Sequence, residues 1–244
     1  TPTFEPGSAR WQKLAVRVRA AGAVDHGAVR PVLALETSPP AIILEGDSLP
    51  PLAEMIEQGS EQSRFLAVIL DLARALTAAH RVGVFHGRVH PWSVWVGNNQ
   101  RVRIELSQLL TRTFGHPWVA ACTAPEIAAL PMAGALVGFG EVAIAIGDGA
   151  ADVYAIGALL ALFAGDTPSK DLAGVIRECM VDDPDARPSM AELVHHIAAL
   201  DGSLRAQRPS MQIPLTPPTP AIGAAVGRYQ LVRQLGAGAM GEVW

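Results

Sequence analysis

Residues 86–93, His-Gly-Arg-Val-His-Pro-Trp-Ser, place two imidazoles, a guanidinium and a hydroxyl within eight positions. Imidazoles serve as acid–base groups or metal ligands, and a guanidinium pairs with anions. His86 and His90 stand at i, i+4, a spacing that holds zinc when both lie on one helix. Pro91 and the neighbouring β-branched Val89 argue for a turn instead, so no metal is expected there. A second chemical signature lies at Gly236-Ala237-Gly238-Ala239-Met240-Gly241-Glu242-Val243. Glycines at this spacing let a backbone approach phosphates closely. Taken alone, that pattern is a weak signal in a chain rich in Gly and Ala.

The elements that position the first stretch follow from periodicity. Phe65, Leu66, Ile69, Leu72, Ala73, Leu76 and His80 recur at helical spacing, and Gly83 ends that helix. Past Ser93 a hairpin is expected, with Gly97-Asn98-Asn99 as its reversal. Val102, Ile104 and Leu106 then alternate with Arg103 and Glu105, the pattern of a half-buried strand.

Helix, loop, hairpin and a later apolar helix resemble the C-terminal lobe of a eukaryotic-like (Hanks-type) Ser/Thr protein kinase. In that family the loop reads His-Arg-Asp, then Lys-Pro and an Asn, and the hairpin ends in Asp-Phe-Gly. His86 and Pro91 match that frame. Arg88 stands at the catalytic Asp, His90 at the Lys, Ser93 at the metal-binding Asn, and Leu106-Ser107-Gln108 at Asp-Phe-Gly. A guanidinium has no lone pair with which to accept a substrate proton, and Leu offers no oxygen to Mg²⁺. Loss of a general base alone costs about 10²–10⁴ in rate. The resemblance therefore implies a module without phosphoryl transfer: no catalytic residue, no metal and no cofactor in residues 1–204.

The likeness extends along the chain. Residues 10–25 read as a helix with Leu14, Val18 and Ala21 on one side and Arg10, Arg17 and Arg19 elsewhere; the family's paired Glu falls on Arg17. Residues 31–35 and 41–45 read as strands around Ser38-Pro39-Pro40, residues 46–49 as the inter-lobe hinge or a plain connection, and 50–58 as a short helix. Residues 109–123 stand for the activation segment, with Thr111, Thr113 and Thr123, none of them expected to be a switch. Ala124-Pro125-Glu126 is intact, Asp152–Gly157 begins the buried central helix, and Asp183–Ser189 precedes a last helix over 189–200. Almost nothing stands where the family inserts its substrate-docking helix. The resemblance implies that Glu126 pairs with Arg187 and that Asp152 braces the loop backbone.

Composition excludes other classes. A net charge of −4 over 244 residues gives no electrostatic case for nucleic acid or an anionic membrane. The two cysteines, Cys122 and Cys179, lack metal-binding spacing and read as reduced intracellular thiols. No signal peptide opens the chain, and residues 127–146, broken by Pro131, Gly134, Gly138 and Gly140, read as a surface insert. The expected compartment is cytoplasmic.

The expected fold class is α+β: a kinase-like fold with a mainly helical C-lobe and a partial N-lobe sheet lacking its first three strands. Residues 10–204 form the degenerate domain, 205–227 a Pro-rich linker, and 228–244 the start of a second kinase domain cut short by the chain's end. The Gly-rich run matches the family's G-x-G-x-x-G-x-V, so Gly236, Gly238, Gly241 and Val243 are its cofactor-binding positions, with ATP and Mg²⁺ expected there. A Rossmann turn is the rival reading and needs the glycines to open a helix. Another is a permuted domain, with residues 228–244 supplying the missing strands. The implied role is regulation or protein binding in signalling, the partner being another protein or the adjoining kinase domain. The alternative is a fragment of an active Ser/Thr kinase that begins at residue 228.

Overall fold

In the computed structural model, the helix expected around Phe65 runs over Gln62–Arg81 (α3), with Phe65, Leu66, Val68, Ile69, Leu72, Ala73 and Leu76 all buried. Burial extends nearly all round it, so α3 is the central post of the fold rather than a surface helix. Its end follows from Gly83, whose φ is +72°. The Val84 N–H reaches the Ala79 carbonyl (2.9 Å) and the Gly83 N–H the His80 carbonyl (3.0 Å), a Schellman closure that turns the chain toward residue 86.

The structure describes residues 9–37, 40–46, 48–97, 99–106, 115–129 and 149–207, and the short segments 225–226, 229–230, 236–238 and 241–243. Ser107, Gln108, Thr111, Thr113, most of the 127–146 insert and most of the linker lie outside them, as do the side chains of Arg10, Leu14 and Arg17.

The chain divides into two units, Thr1–Ala206 and Gln207–Trp244. The first mixes helices with small antiparallel sheets. Helix α1 (Ala9–Gly22) buries Trp11, Ala15, Val18 and Ala21, one face at helical spacing, and stops three residues before the expected end. Strands β1 (Val32–Thr37) and β2 (Pro40–Leu44) pair antiparallel, with Leu35 opposite Ile42 and a bulge between Val32 and Ala34. Helix α2 (Leu52–Glu57) follows. Strands β3 (Val94–Val96) and β4 (Val102–Ile104) form the expected hairpin, with Val94 opposite Ile104.

Two features of that hairpin differ from the sequence reading. The left-handed residue of the reversal is Gln100 (φ 63°), while Asn99 contributes its side-chain oxygen, which accepts the Arg101 N–H at 3.1 Å. And β4 is buried on both faces: Arg103 and Glu105 are only 5% and 4% exposed. Segment 28–30 runs parallel alongside β4, through the Ile104 N–H to the Ala28 carbonyl and the Arg30 N–H to the Ile104 carbonyl, both at 2.8 Å. Arg103 is tolerated inside because it donates to the Gly27 carbonyl and to Glu45 (2.9 Å).

Past the hairpin come α4 (Pro117–Ala121) and α5 (Pro125–Ala128), then the apolar helix α6 (Ala150–Ala164). Phe163 of α6 stacks on Phe65 of α3, centroids 3.9 Å apart. Helix α7 (Lys170–Cys179), capped by Ser169, was not expected from sequence. It buries Leu172, Val175 and Cys179. A 3₁₀ turn at Pro184–Ala186 leads into α8 (Met190–Gln207). Helix α8 continues seven residues past the expected end at 200, which moves the boundary from Leu204 to about Gln207. Among the described residues no helix is long and apolar enough to cross a membrane.

The second unit is described by its backbone alone. Strands β5 (Ala225–Val226) and β6 (Tyr229–Gln230) pair antiparallel, as do β7 (Gly236–Gly238) and β8 (Gly241–Val243).

Candidate functional site

The loop between α3 and β3 is held from below by Asp152, in the first turn of α6. Its carboxylate is 1% exposed. Oδ1 accepts the Gly87 N–H at 2.6 Å, and Oδ2 accepts the His86 N–H and the His80 Nε2–H, both at 2.9 Å. Burial by itself would raise the Asp152 pKa, but the bond and charge of His80 and those of His86 outweigh it, so the net shift is downward. Its place at a helix N-terminus adds to that preference. His80 sits in the last turn of α3 and needs room to reach Asp152. Gly149 provides it: a Cβ there would lie 2.2 Å from the imidazole.

Above this brace the loop closes on itself. Ser93 Oγ accepts the His90 N–H and donates to the His90 carbonyl, each at 2.9 Å. Its one proton and an acceptor site are thus spent inside a buried turn. His90 is 2% exposed, and its Nδ1 accepts the Trp92 N–H at 3.2 Å. Burial, followed by the charges of His86 and Arg88, pushes the His90 pKa down to about 3, so the ring is neutral at ordinary pH. Leu106, where the resemblance puts a metal-binding Asp, is 2% exposed. Burial also lowers the Arg88 pKa, from a value so high that the group stays charged.

Trp92 leaves the loop and meets the next segment. Its ring packs edge-on against His116 (centroids 4.2 Å apart) and tilted against Trp118 (5.6 Å). His116 caps α4 through its own Nδ1, which accepts the Trp118 N–H at 3.2 Å. The chain before α4 and the loop are therefore joined by aromatic contact.

A second polar cluster fixes the far side. The Arg187 side chain is fully buried and all five of its N–H donors are used. Nη1 donates to Glu126 Oε1 (2.7 Å) and the Ala150 carbonyl (3.1 Å); Nη2 donates to Glu126 Oε2 (2.9 Å) and the Asp182 carbonyl (3.1 Å); Nε donates to the Val181 carbonyl (2.8 Å). Tyr154 lies under the guanidinium, its ring centroid 5.0 Å away. One side chain thus ties together α5, the start of α6 and the turn before α8.

Of the residues singled out in the sequence, the structure brings Glu126 to Arg187 and Asp152 to the backbone of residues 86 and 87. His86 and His90 lie on an irregular loop, and among the described residues no group of three His, Cys, Asp or Glu is placed to hold a metal. Gly236, Gly238, Gly241 and Val243 fall on the β7–β8 hairpin, Gly236 opposite Val243 and Gly238 opposite Gly241. Sequence reasoning missed His80 as the partner of Asp152, Gly149 as the space it needs, and the Trp92–His116–Trp118 cluster. Only the His-Pro-Trp at 116–118, a repeat of His-Pro-Trp at 90–92, offered a signal for the last.

Chemically the arrangement builds shape. Asp152 is saturated by three donors, Ser93 is closed within its turn, and the Nδ1 acceptors of His86, His90 and His116 hold backbone N–H groups. No protein-family model matches the chain, and no curated protein matches it significantly.

Proposed function

We propose that residues 10–206 are a catalytically degenerate protein kinase-like module whose work is binding or regulation. The observation that carries this reading is a division of fates. The groups that the kinase resemblance assigns to architecture, Asp152 under the loop and Glu126 with Arg187, make the contacts expected of them. The positions it assigns to chemistry hold Arg88, a Ser93 spent on its own turn, and a buried Leu106. Two distant pairs, 61 and 66 residues apart in sequence, are unrelated to each other and agree with one fold. The β1–β2 pair would then be the remnant of the N-lobe sheet, and the partner another protein or a neighbouring kinase domain.

The test is thermal unfolding with and without Mg-ATP. A nucleotide at 100 times its Kd would stabilise by about 2.7 kcal/mol, about 5–10 °C for a unit of this size. The expected shift is under about 1 °C. A clear shift that requires Mg²⁺ overturns the reading.

A second reading concerns residues 228–244, as the opening of an ATP-dependent Ser/Thr kinase domain. It is favoured by the β7–β8 hairpin, which carries Gly236, Gly238, Gly241 and Val243 in paired strands where a Rossmann turn would open a helix. Its test is to sequence the encoding gene past the codon for Trp244. A strand with Ala-x-Lys and an intact His-Arg-Asp loop support it, and their absence removes it.

A further inference from the structure

Four histidines of this chain share one device: Nδ1 accepts the backbone N–H two residues on. His26 does so with Ala28 (3.1 Å), and His86, His90 and His116 with Arg88, Trp92 and Trp118 (3.2 Å each). An imidazole that accepts at Nδ1 carries its proton on Nε2 and is neutral. A second proton can enter only at Nδ1. It takes the lone pair and sets an N–H against an N–H.

Three of the four rings lie in one connected patch. His86 and His90 close the loop from within, and Trp92, whose N–H is held by His90, packs on His116 and Trp118. We propose that residues 86–93 and 116–118 form an acid-released latch, in which protonation of His90 at Nδ1 opens the His90–Ser93 turn and withdraws Trp92 from His116 and Trp118.

The surroundings of His90 favour release. The charged group beside it is Arg88, joined by His86 once that ring is itself protonated, and both oppose a protonated His90. From α6, the carboxylate of Asp152 acts on His86 and is already committed to the loop N–H groups and to His80. From α2, the Ala53 N–H binds the Pro91 carbonyl (3.1 Å) and brings no charge. The closed loop keeps His90 neutral down to about pH 3, whereas an opened, hydrated His90 takes its proton near 6.5. Between those values the open population relative to the closed one grows up to tenfold per pH unit of acidification. Opening of the His90–Ser93 turn lets go of α4, while the Phe65–Phe163 stack between α3 and α6 involves neither the turn nor Trp92 and should persist.

The test is a pH titration of the whole chain by NMR, from 7.5 to 4. It follows the imidazole nitrogens, the indole of Trp92 and the rings of Phe65 and Phe163. The expected result is Nε2–H tautomers for His86, His90 and His116 at pH 7.5. On acidification the His90 and Trp92 signals should move with one midpoint while the two phenylalanines hold still. His90→Asn keeps an acceptor for the Trp92 N–H and cannot titrate, so the Trp92 movement that shares the His90 midpoint should vanish, whatever His116 beside it contributes. Three outcomes overturn the proposal: an immobile Trp92 in the wild type, Trp92 moving equally in His90→Asn, or Phe65 and Phe163 moving at the same midpoint as Trp92. Should His90→Asn fail to fold, the wild-type titration decides alone.

Discussion

Arg187→Ala tests how the first unit is held together. The guanidinium is wholly buried, and the substitution strands four groups at once: the Glu126 carboxylate and the carbonyls of Ala150, Val181 and Asp182. Breaking a buried ion pair by removing one partner costs about 3–5 kcal/mol. Glu126 is 18% exposed at its side chain, and partial rehydration there lowers the figure. The three lost carbonyl bonds raise it again, because each leaves a carbonyl without its donor. The expected net loss is about 4 kcal/mol, a large part of the 5–15 kcal/mol typical of a domain. Glu126→Gln keeps one carbonyl acceptor but sets its amide N–H₂ against the other guanidinium N–H and leaves the buried Arg187 without its counter-charge, so it should cost about 3 kcal/mol. Combining Glu126→Gln with Arg187→Met should recover part of the Arg187→Ala loss, because no charge is left stranded. A double-mutant cycle of Arg187→Met, Glu126→Gln and the two combined, read by urea unfolding, should give a coupling energy of about 1.5–3 kcal/mol. Acid supplies an independent arm. Burial tends to raise the Glu126 pKa, but the bonds and charge of Arg187 win, so its folded value lies below its unfolded one. Its contribution is therefore complete above the unfolded value of about 4.3 and is lost as pH falls through the folded one. Glu126→Gln should abolish that part of the acid sensitivity. A coupling energy within about 0.5 kcal/mol of zero refutes the whole argument, and with it the main support for the kinase-like reading.

Two glycines should be irreplaceable for steric reasons alone. Gly157→Ala drives a Cβ to 2.5 Å from that of Cys179, where α6 and α7 touch, and Gly149→Ala drives one into His80. Each should lower stability by about 1–3 kcal/mol in urea unfolding, and a neutral result would mean the helices are further apart than described. Burial pushes both thiols, Cys122 and Cys179, up to about 12. Alkylation at pH 8 should then follow the rate of opening and accelerate in urea, and prompt reaction of either in native buffer counts against its burial. Limited proteolysis should cut first between Gln207 and Arg228, where five prolines and no apolar periodicity leave little to pack; a first cut within 150–200 would place the boundary wrongly.

What the chain states locally, it states legibly. The apolar period of residues 65–76 and the glycine at 83 suffice for α3 and its termination, because both are properties of a few adjacent turns. The hairpin after Ser93 and the pairing of strands around residues 38–39 are local in the same sense. The resemblance carried two longer statements, the Glu126–Arg187 pair and the Asp152 brace, because distinctive residues mark both ends of each.

Tertiary structure decided the rest. Arg103 and Glu105 alternate with apolar residues and so read as a wet face. They are dry because segment 28–30 lies alongside, and Arg103 finds Gly27 and Glu45 at separations of 76 and 58 residues. No pattern within one strand encodes that neighbour. Helix α7 carries Leu172, Val175, Ile176 and Cys179 at i, i+3, i+4 and i+7, a stripe legible in the sequence but passed over; what only the tertiary structure supplies is its place to pack, the close approach permitted at Gly157. The same holds for the candidate site. Whether a serine or a histidine reacts or merely fastens a turn depends on where its hydrogen bonds go. Ser93 and His90 spend theirs on their own backbone, a choice made by burial, which penalises every polar group left without a partner.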